Sequence, residues 1–148
     1  MTRNPSATSI IHADAPIMLS PSGLPTRCVV SPTTGARQLF VAEQALEPGQ
    51  AVPLHTHPVE EVLTFLGGSG EATCGEDLHE VREGVSVFIP PGVAHGFRNT
   101  GEMPLRVLVI FPGDSFAETI GAGSAEHGRE GSRRMRSRAD DEELTSVG

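Results

Sequence analysis

The sequence places three histidines and one glutamate at a spacing that could bring their side chains together. His55 and His57 are two residues apart, and Glu61 follows four residues after His57. Residues i and i+2 of a β-strand point to the same face, so both imidazoles would face one space. A tight turn would return Glu61 to that face. His95 follows a Pro-Pro-Gly turn and could join them from a later strand.

Three neutral imidazoles and one carboxylate would make a mixed nitrogen and oxygen site. Such a site suits Fe²⁺, Mn²⁺, Ni²⁺, Co²⁺, Cu²⁺ or Zn²⁺ rather than Ca²⁺ or Mg²⁺. Four protein ligands on an octahedral ion leave two positions open, where a substrate or dioxygen can bind directly. A His-x-His pair alone is weak evidence, because a lone histidine is usually structural or on the surface. The glycines and prolines around this pair strengthen the prediction.

The composition excludes several other kinds of chemistry. The chain has 148 residues, which suits one domain, and all 11 of its basic residues are arginine. Without Lys or Tyr it can form no Schiff base and has no phenolic acid or base. A net charge of -8 argues against a nucleic-acid partner. With no signal pattern and no long apolar run, we expect a cytoplasmic protein with no membrane partner.

Short apolar stretches alternate with turn signals between residues 37 and 112. Strands of this length at this spacing predict an antiparallel sandwich or barrel. We expect a lead-in with edge strands at residues 1–35, the barrel at 36–113, and a partly flexible tail at 114–148. The tail is predicted to hold short helices near 114–120 and 140–144. An ordered lid or dimer contact remains an alternative for it.

Two segments carry a resemblance to a known family. Residues 49–68 read Gly, five residues, His-x-His, three residues, Glu, six residues, Gly. Residues 84–99 read Gly, five residues, Pro-x-Gly, two residues, His, three residues, Asn. Both resemble the defining motifs of the cupin superfamily, and the 15 residues between them match small single-domain members (monocupins). The resemblance implies an all-β jelly-roll barrel, a double-stranded β-helix.

The same resemblance implies one divalent metal ion held by His55, His57, Glu61 and His95. Glu61 is preferred to the neighbouring Glu60 because of its spacing to His57 and to the glycine that closes the first motif. Fe²⁺ is the expected ion, with the other transition metals named above as alternatives.

Strand alternation predicts an apolar pocket around this ion. Side chains that share a face with the ligands, or that lie on the flanking strands, are expected to line it. In the segment before the first motif, either Gln38 and Phe40 face the pocket, or the alternate residues Arg37, Leu39 and Val41 do. Either Arg37 or Gln38 could bind an anion or carbonyl of the substrate. The predicted pocket residues are Gln38, Phe40, Leu63, Phe65, Phe97 and Val109.

Three kinds of function are compatible with such a site. We favour an enzyme, a dioxygenase that binds a small-molecule substrate and dioxygen at the metal. A non-redox isomerase, lyase, decarboxylase or cyclase is the alternative, although the chain offers few bases for it. A ligand-binding cupin without catalysis is the third. Outward apolar residues on one strand also predict a homodimer; they are Val62, Thr64 and Leu66.

Overall fold

The computed structural model describes residues 6–121 of the chain, and strands dominate that part. Its helical segments are two 3-10 turns, His12–Asp14 and Pro32–Thr34. Neither of these is a helix that could cross a membrane. The strands are β1 (Ile17–Leu19), β2 (Pro25–Val30), β3 (Leu39–Leu46), β4 (Ala51–His55), β5 (Glu61–Gly67), β6 (Ser69–Cys74), β7 (Asp77–Arg82), β8 (Ser86–Ile89), β9 (His95–Asn99) and β10 (Leu105–Pro112).

The strands form two antiparallel sheets. Six strands pair in the order β1-β2-β3-β10-β5-β8, and four in the order β4-β9-β6-β7. β10 lies between β3 and β5, so the last described strand occupies the middle of the larger sheet. The predicted all-β jelly roll is confirmed. β2 falls in the predicted lead-in and pairs with β3, while the domain boundaries themselves stay a prediction.

The core lies on the face of each sheet where apolar side chains recur at every second residue. On β3, Phe40, Ala42, Gln44 and Leu46 are buried, and the residues between them are partly or fully exposed. Strands with this alternation bury one face and leave the other to solvent. Phe65 of β5 meets Phe97 of β9 edge to face at a centroid distance of 6.0 Å, which joins the two sheets.

One buried asparagine fixes the turn that follows the second motif. Asn99 donates from Nδ2 to the carbonyl oxygens of Leu46 and Met103, and its Oδ1 accepts from the backbone N–H of Gly101. A side chain that satisfies three backbone groups in this way holds a turn without regular secondary structure.

The segment after β10 differs from the prediction. Residues 114–120 form no helix; the chain runs irregularly and makes an isolated bridge between Thr56 and Ile120. The two backbone N–H···O bonds of that bridge, 3.0 Å each, pair the N–H and C=O of Ile120 with Thr56 rather than with groups of a helix. Phe116 packs against Phe40 at a centroid distance of 4.8 Å. The helix predicted near 140–144, and the tail beyond residue 121, lie outside the described residues.

Candidate metal centre

The four candidate ligands converge at one end of the barrel. His55 ends β4 and pairs with His95 at the start of β9, while Glu61 opens β5. All four side chains are buried, and one ligand atom from each lies within 4.8 Å of the others. Glu60, the neighbour of Glu61, is exposed. The burial of these two glutamates agrees with the predicted preference for Glu61.

Each histidine ring is oriented by a backbone carbonyl. Nδ1 of His55 lies 2.6 Å from the carbonyl oxygen of Pro53, and Nδ1 of His95 lies 2.8 Å from that of Val93. A carbonyl oxygen only accepts hydrogen bonds, so both rings carry a hydrogen on Nδ1. A neutral ring with that hydrogen presents the lone pair of Nε2 to the centre. Such outer bonds are characteristic of metal-binding histidines.

The third ring is held by the segment that follows the barrel. Nδ1 of His57 donates to the carbonyl oxygen of Glu118 at 2.9 Å, and Thr119 Oγ1 lies 3.4 Å from the same nitrogen. The Thr119 hydroxyl donates to the carbonyl of Ala117, so toward His57 it can only accept. His57 therefore also turns Nε2 toward the other ligands.

The centre of the cluster is rich in electron pairs. Nε2 of His55 and Nε2 of His57 are 3.1 Å apart, and Oε2 of Glu61 is 2.9 Å from Nε2 of both His57 and His95. When all three rings are neutral, their Nε2 lone pairs and the carboxylate repel one another in these buried surroundings unless a proton or a metal ion lies among them. The donor set and its orientation fit a divalent transition metal, and they do not distinguish among Fe²⁺, Mn²⁺, Ni²⁺, Co²⁺, Cu²⁺ and Zn²⁺.

The ionisation of His55 and Glu61 suits this role, and at His57 a metal must compete with a proton. Burial lowers the pKa of His55 to about 4, helped by the nearby His95 ring, so His55 is neutral at physiological pH. Burial alone would raise the pKa of Glu61, but hydrogen bonds with His57 and His95 lower it on balance, and the carboxylate is ionised. The opposite balance holds at His57, where burial lowers the pKa and the bonds to Glu61 and Glu118 outweigh it, giving a raised pKa.

A small cavity, partly open to solvent, adjoins the ligands. Three phenylalanine rings form much of its apolar wall, and Phe111 also meets the His57 ring edge to face at 4.9 Å. A serine pair and a glutamine supply a polar wall. Besides the ligands His55, His57 and Glu61, the lining residues are Ser20, Pro21, Ser22, Gln44, Val52, Phe97, Val109, Phe111, Phe116 and Thr119.

The predicted pocket residues divide into two groups. Phe97 and Val109 line the cavity. Phe40, Leu63 and Phe65 are buried in the core and are not among the residues that line this cavity. Gln38 is exposed, since it precedes the first residue of β3 and the alternation does not extend back to it. The pocket assignment is corrected for these four residues.

Several lining residues were not predicted. Gln44 follows Phe40 and Ala42 on the inward face of β3, so alternation along that strand could have reached it. Ser20 and Ser22 lie in the turn between β1 and β2, where no periodic pattern exists. Phe116 and Thr119 belong to the segment for which a helix was expected.

A family model and several proteins match this chain over the barrel. The family model described as Cupin domain matches residues 42–111, which include all four candidate ligands. The uncharacterized protein SCO3923 of Streptomyces coelicolor is 36% identical over 75 residues, which cover 51% of this chain and 70% of that protein. The chain belongs to the cupin superfamily.

Two further proteins resemble this cupin, one in sequence and one in fold. Protein SchB of Streptomyces halstedii is 33% identical over 84 residues, 55% of this chain, and the chain spans 61% of the length of SchB. Among solved structures, the polyketide cyclase RemF from Streptomyces resistomycificus matches with a TM-score of 0.66 over 80% of this cupin and 85% of RemF. The sequence identity with RemF is 22%, so this likeness shows a shared fold.

Proposed function

We propose that this cupin is a metal-dependent oxygenase that acts on a small molecule bound directly to the ion. The observation that carries the proposal is the composition of the cavity wall. Apart from His55, His57 and Glu61, the lining residues among those described carry no titratable side chain. No further titratable side chain there can therefore give or take a proton as a general acid or base.

The chain's own residues would hold the ion and shape the space around it. A redox-active ion such as Fe²⁺, when bound, would supply electron transfer between substrate and dioxygen. His55, His57, Glu61 and His95 would bind it. The backbone carbonyls behind the three rings keep them turned inward. The phenylalanine rings would exclude water and pack on the apolar body of the substrate.

The charge of the wall restricts the substrate. The residues that line the cavity, within the described part of the chain, include no arginine. A dicarboxylate would bring two negative charges, and only the ion could compensate them. An uncharged or singly ionised oxygen compound, such as an enol or a catechol, suits the wall better.

A non-redox cyclase is the second candidate. Its support is the fold shared with RemF, a polyketide cyclase, over most of both chains. A chain of carbonyl groups offers oxygens that a Lewis-acidic ion could polarise. This reaction needs a proton acceptor, and in the described cavity wall the metal ligands themselves are the available basic side chains.

Oxygen uptake separates the two candidates. Protein loaded in turn with Fe²⁺, Mn²⁺, Ni²⁺ and Zn²⁺ is mixed with enolic, thiol and catechol compounds in an oxygen electrode. We expect uptake with Fe²⁺, lost in Glu61→Gln and retained in Glu60→Gln, whose side chain is exposed. Metal binding without uptake for any ion would overturn the oxygenase. Anaerobic cyclisation of a poly-β-ketone by the zinc form would establish the cyclase instead.

A further inference from the structure

A second polar group lines the cavity besides the metal ligands. It consists of Gln44 on β3 and the hydroxyls of Ser20 and Ser22 in the turn between β1 and β2. All three side chains are buried, and Gln44 is 4% exposed. A buried polar group is costly unless it makes hydrogen bonds. The bonds that each of these side chains makes within the protein therefore indicate which donor or acceptor atoms remain for a ligand.

The orientation of the Gln44 amide follows from its neighbour. The Thr26 hydroxyl donates its single hydrogen to the carbonyl oxygen of Leu24 at 2.9 Å. Toward Gln44 it can therefore only accept, and it does so from Nε2 at 3.0 Å. The amide nitrogen is thus fixed against β2, and the carbonyl oxygen Oε1 points the other way.

The Gln44 carbonyl oxygen faces accessible space. Every fully buried side-chain nitrogen or oxygen within residues 6–121 has a hydrogen-bond partner. Within residues 6–121, Oε1 of Gln44 has no protein hydrogen-bond partner, and Gln44 lines the cavity, so we infer that this oxygen is available to a ligand there. The backbone of Gln44 is paired with Thr26 on one side and Val107 on the other, which holds this acceptor in place.

The serine pair supplies a donor. The backbone N–H of Leu24 donates to Ser20 Oγ at 3.1 Å, and Ser20 Oγ lies 3.0 Å from Ser22 Oγ. The two hydroxyls have two hydrogens, and the bond between them uses one. The other hydrogen is left to donate to a ligand.

We propose that Gln44, Ser20 and Ser22 form a subsite that binds a neutral group able to donate and accept at once, such as a hydroxyl or a carboxamide. The ligand's remaining oxygens would bind the ion, so this inference rests on the proposed function for the placement of the reacting end. A carboxylate is disfavoured because the Gln44 carbonyl oxygen would face it with a second acceptor. The substrate class becomes an uncharged oxygen compound with a hydroxyl or amide remote from its metal-binding oxygens.

Three pyrones with the same metal-binding end test the subsite. Kojic acid carries a hydroxymethyl group, allomaltol a methyl group and comenic acid a carboxylate at the same ring position. Their affinities for the zinc-loaded protein are measured by calorimetry, so that no redox turnover is involved. We expect kojic acid to bind about tenfold more tightly than allomaltol, the effect of one or two net hydrogen bonds, and comenic acid to bind less tightly than kojic acid.

Substitutions of the subsite residues test whether these residues cause the preference for kojic acid over allomaltol. Gln44→Met and Ser22→Ala should each remove most of the preference for kojic acid and leave the affinity for allomaltol within about twofold. Gln38→Met is the matched control, since Gln38 is exposed, and it should behave as the wild type. Circular dichroism and zinc content show whether each variant has kept its fold and its ion.

The outcomes separate this inference from the proposed function. Equal binding of kojic acid and allomaltol by the wild type, or an unchanged preference in Gln44→Met and Ser22→Ala, would overturn the subsite and leave the oxygenase standing. A preference that depends on Gln44, without oxygen uptake by the Fe²⁺ form, would support the subsite and remove the oxygenase. Binding of none of the pyrones would mean that the ion has no open positions, which overturns both.

Discussion

His57 donates its Nδ1 hydrogen to the carbonyl oxygen of Glu118, which lies 61 residues further along the chain, at 2.9 Å. The orientation of one candidate metal ligand therefore depends on a segment that follows the barrel. That segment is attached by the Thr56–Ile120 bridge and by Phe116, whose ring packs against Phe40. Loosening it should weaken metal binding without touching a ligand.

Phe116→Ala tests this dependence. Loss of the ring removes the contact with Phe40 and the more distant one with Phe111, so Glu118 is held less firmly against His57 and the Thr56–Ile120 bridge alone anchors the segment. We expect the metal affinity to fall about tenfold, the usual effect of losing an outer hydrogen bond to a ligand. Competition with a chelator measures the affinity. Ile120→Ala is the control, because that side chain is 58% exposed and only its backbone makes the bridge. Equal affinities in the two variants would contradict the prediction.

Substitutions of the adjacent residues Glu60 and Glu61 should differ sharply in their effect on metal affinity. Glu61→Gln removes the negative charge that faces His57 and His95, and we expect metal affinity to fall by about 100-fold or more. Glu60→Gln changes an exposed side chain and should leave both affinity and metal content unchanged. Metal analysis after purification, followed by chelator competition, distinguishes them. A Glu60→Gln protein that loses its metal would reverse the assignment of the ligand.

Metal binding should depend on pH through His57. Burial lowers the pKa of this ring, but the bonds to Glu61 and to the Glu118 carbonyl outweigh it and raise the pKa above its usual value of 6.5. A ring with a raised pKa holds its proton to higher pH, and the metal must displace it. Affinity should therefore rise about tenfold per pH unit up to the His57 pKa and level off above it.

Calorimetry in buffers of different ionisation enthalpy counts the protons released. We expect about one proton on metal binding near pH 6.5 and fewer near pH 8.5. His55 should add nothing, because its pKa of about 4 leaves it neutral throughout this range. Release that grows from pH 6.5 to 8.5 would show that another group titrates instead.

Gly96 should tolerate no side chain. A Cβ atom at this position would lie 2.6 Å from the carbonyl oxygen of Val52, which would force β4 and β9 apart next to His55 and His95. We expect Gly96→Ala to lower the free energy of unfolding by about 1–3 kcal/mol. Urea denaturation measures it. At Gly67 the nearest atom to an added Cβ is Cδ of Arg106 at 4.0 Å, so Gly67→Ala should change the stability by less than about 0.5 kcal/mol.

The homodimer predicted from the outward residues of β5 stays a proposal. In the six-stranded sheet Val62 is paired with Phe88, whose side chain is 59% exposed, so the two form an apolar patch on the outer face. We expect a dimer at micromolar concentration by light scattering and a monomer in Phe88→Glu. Leu78→Glu on β7 is the control, since it changes an exposed residue of the other sheet. A monomeric wild type would refute the proposal.

The sequence predicted the strands that bury one face. Residues 39–46 and 105–111 carry apolar side chains in a pattern that agrees with β3 and β10. β7 was not predicted, because Val81 is its one buried residue and its other side chains are exposed and mostly polar. A strand at the edge of a sheet has no alternation to detect when little of it is buried.

The candidate ligands were predictable, and the cavity was not. The spacing of His55, His57 and Glu61 follows local strand and turn geometry, which a sequence encodes directly. The cavity wall also contains Ser20 from an irregular turn and Phe116 from a segment that follows the last strand. These residues come together only through tertiary packing. Neither segment has a hydrophobic periodicity from which that contact could be predicted.

The central place of β10 has a consequence for how the protein is made. β3 and β5 leave the ribosome before the strand that fits between them, so each keeps an unpaired edge until residues 105–112 have been synthesised. His95, the last of the four ligands, precedes that strand by ten residues, roughly a second of translation. All four ligands are thus present in the nascent chain before the larger sheet can close. During that interval the cavity beside the ligands is incomplete, because Val109 and Phe111 of β10 and the later Phe116 and Thr119 form part of its wall.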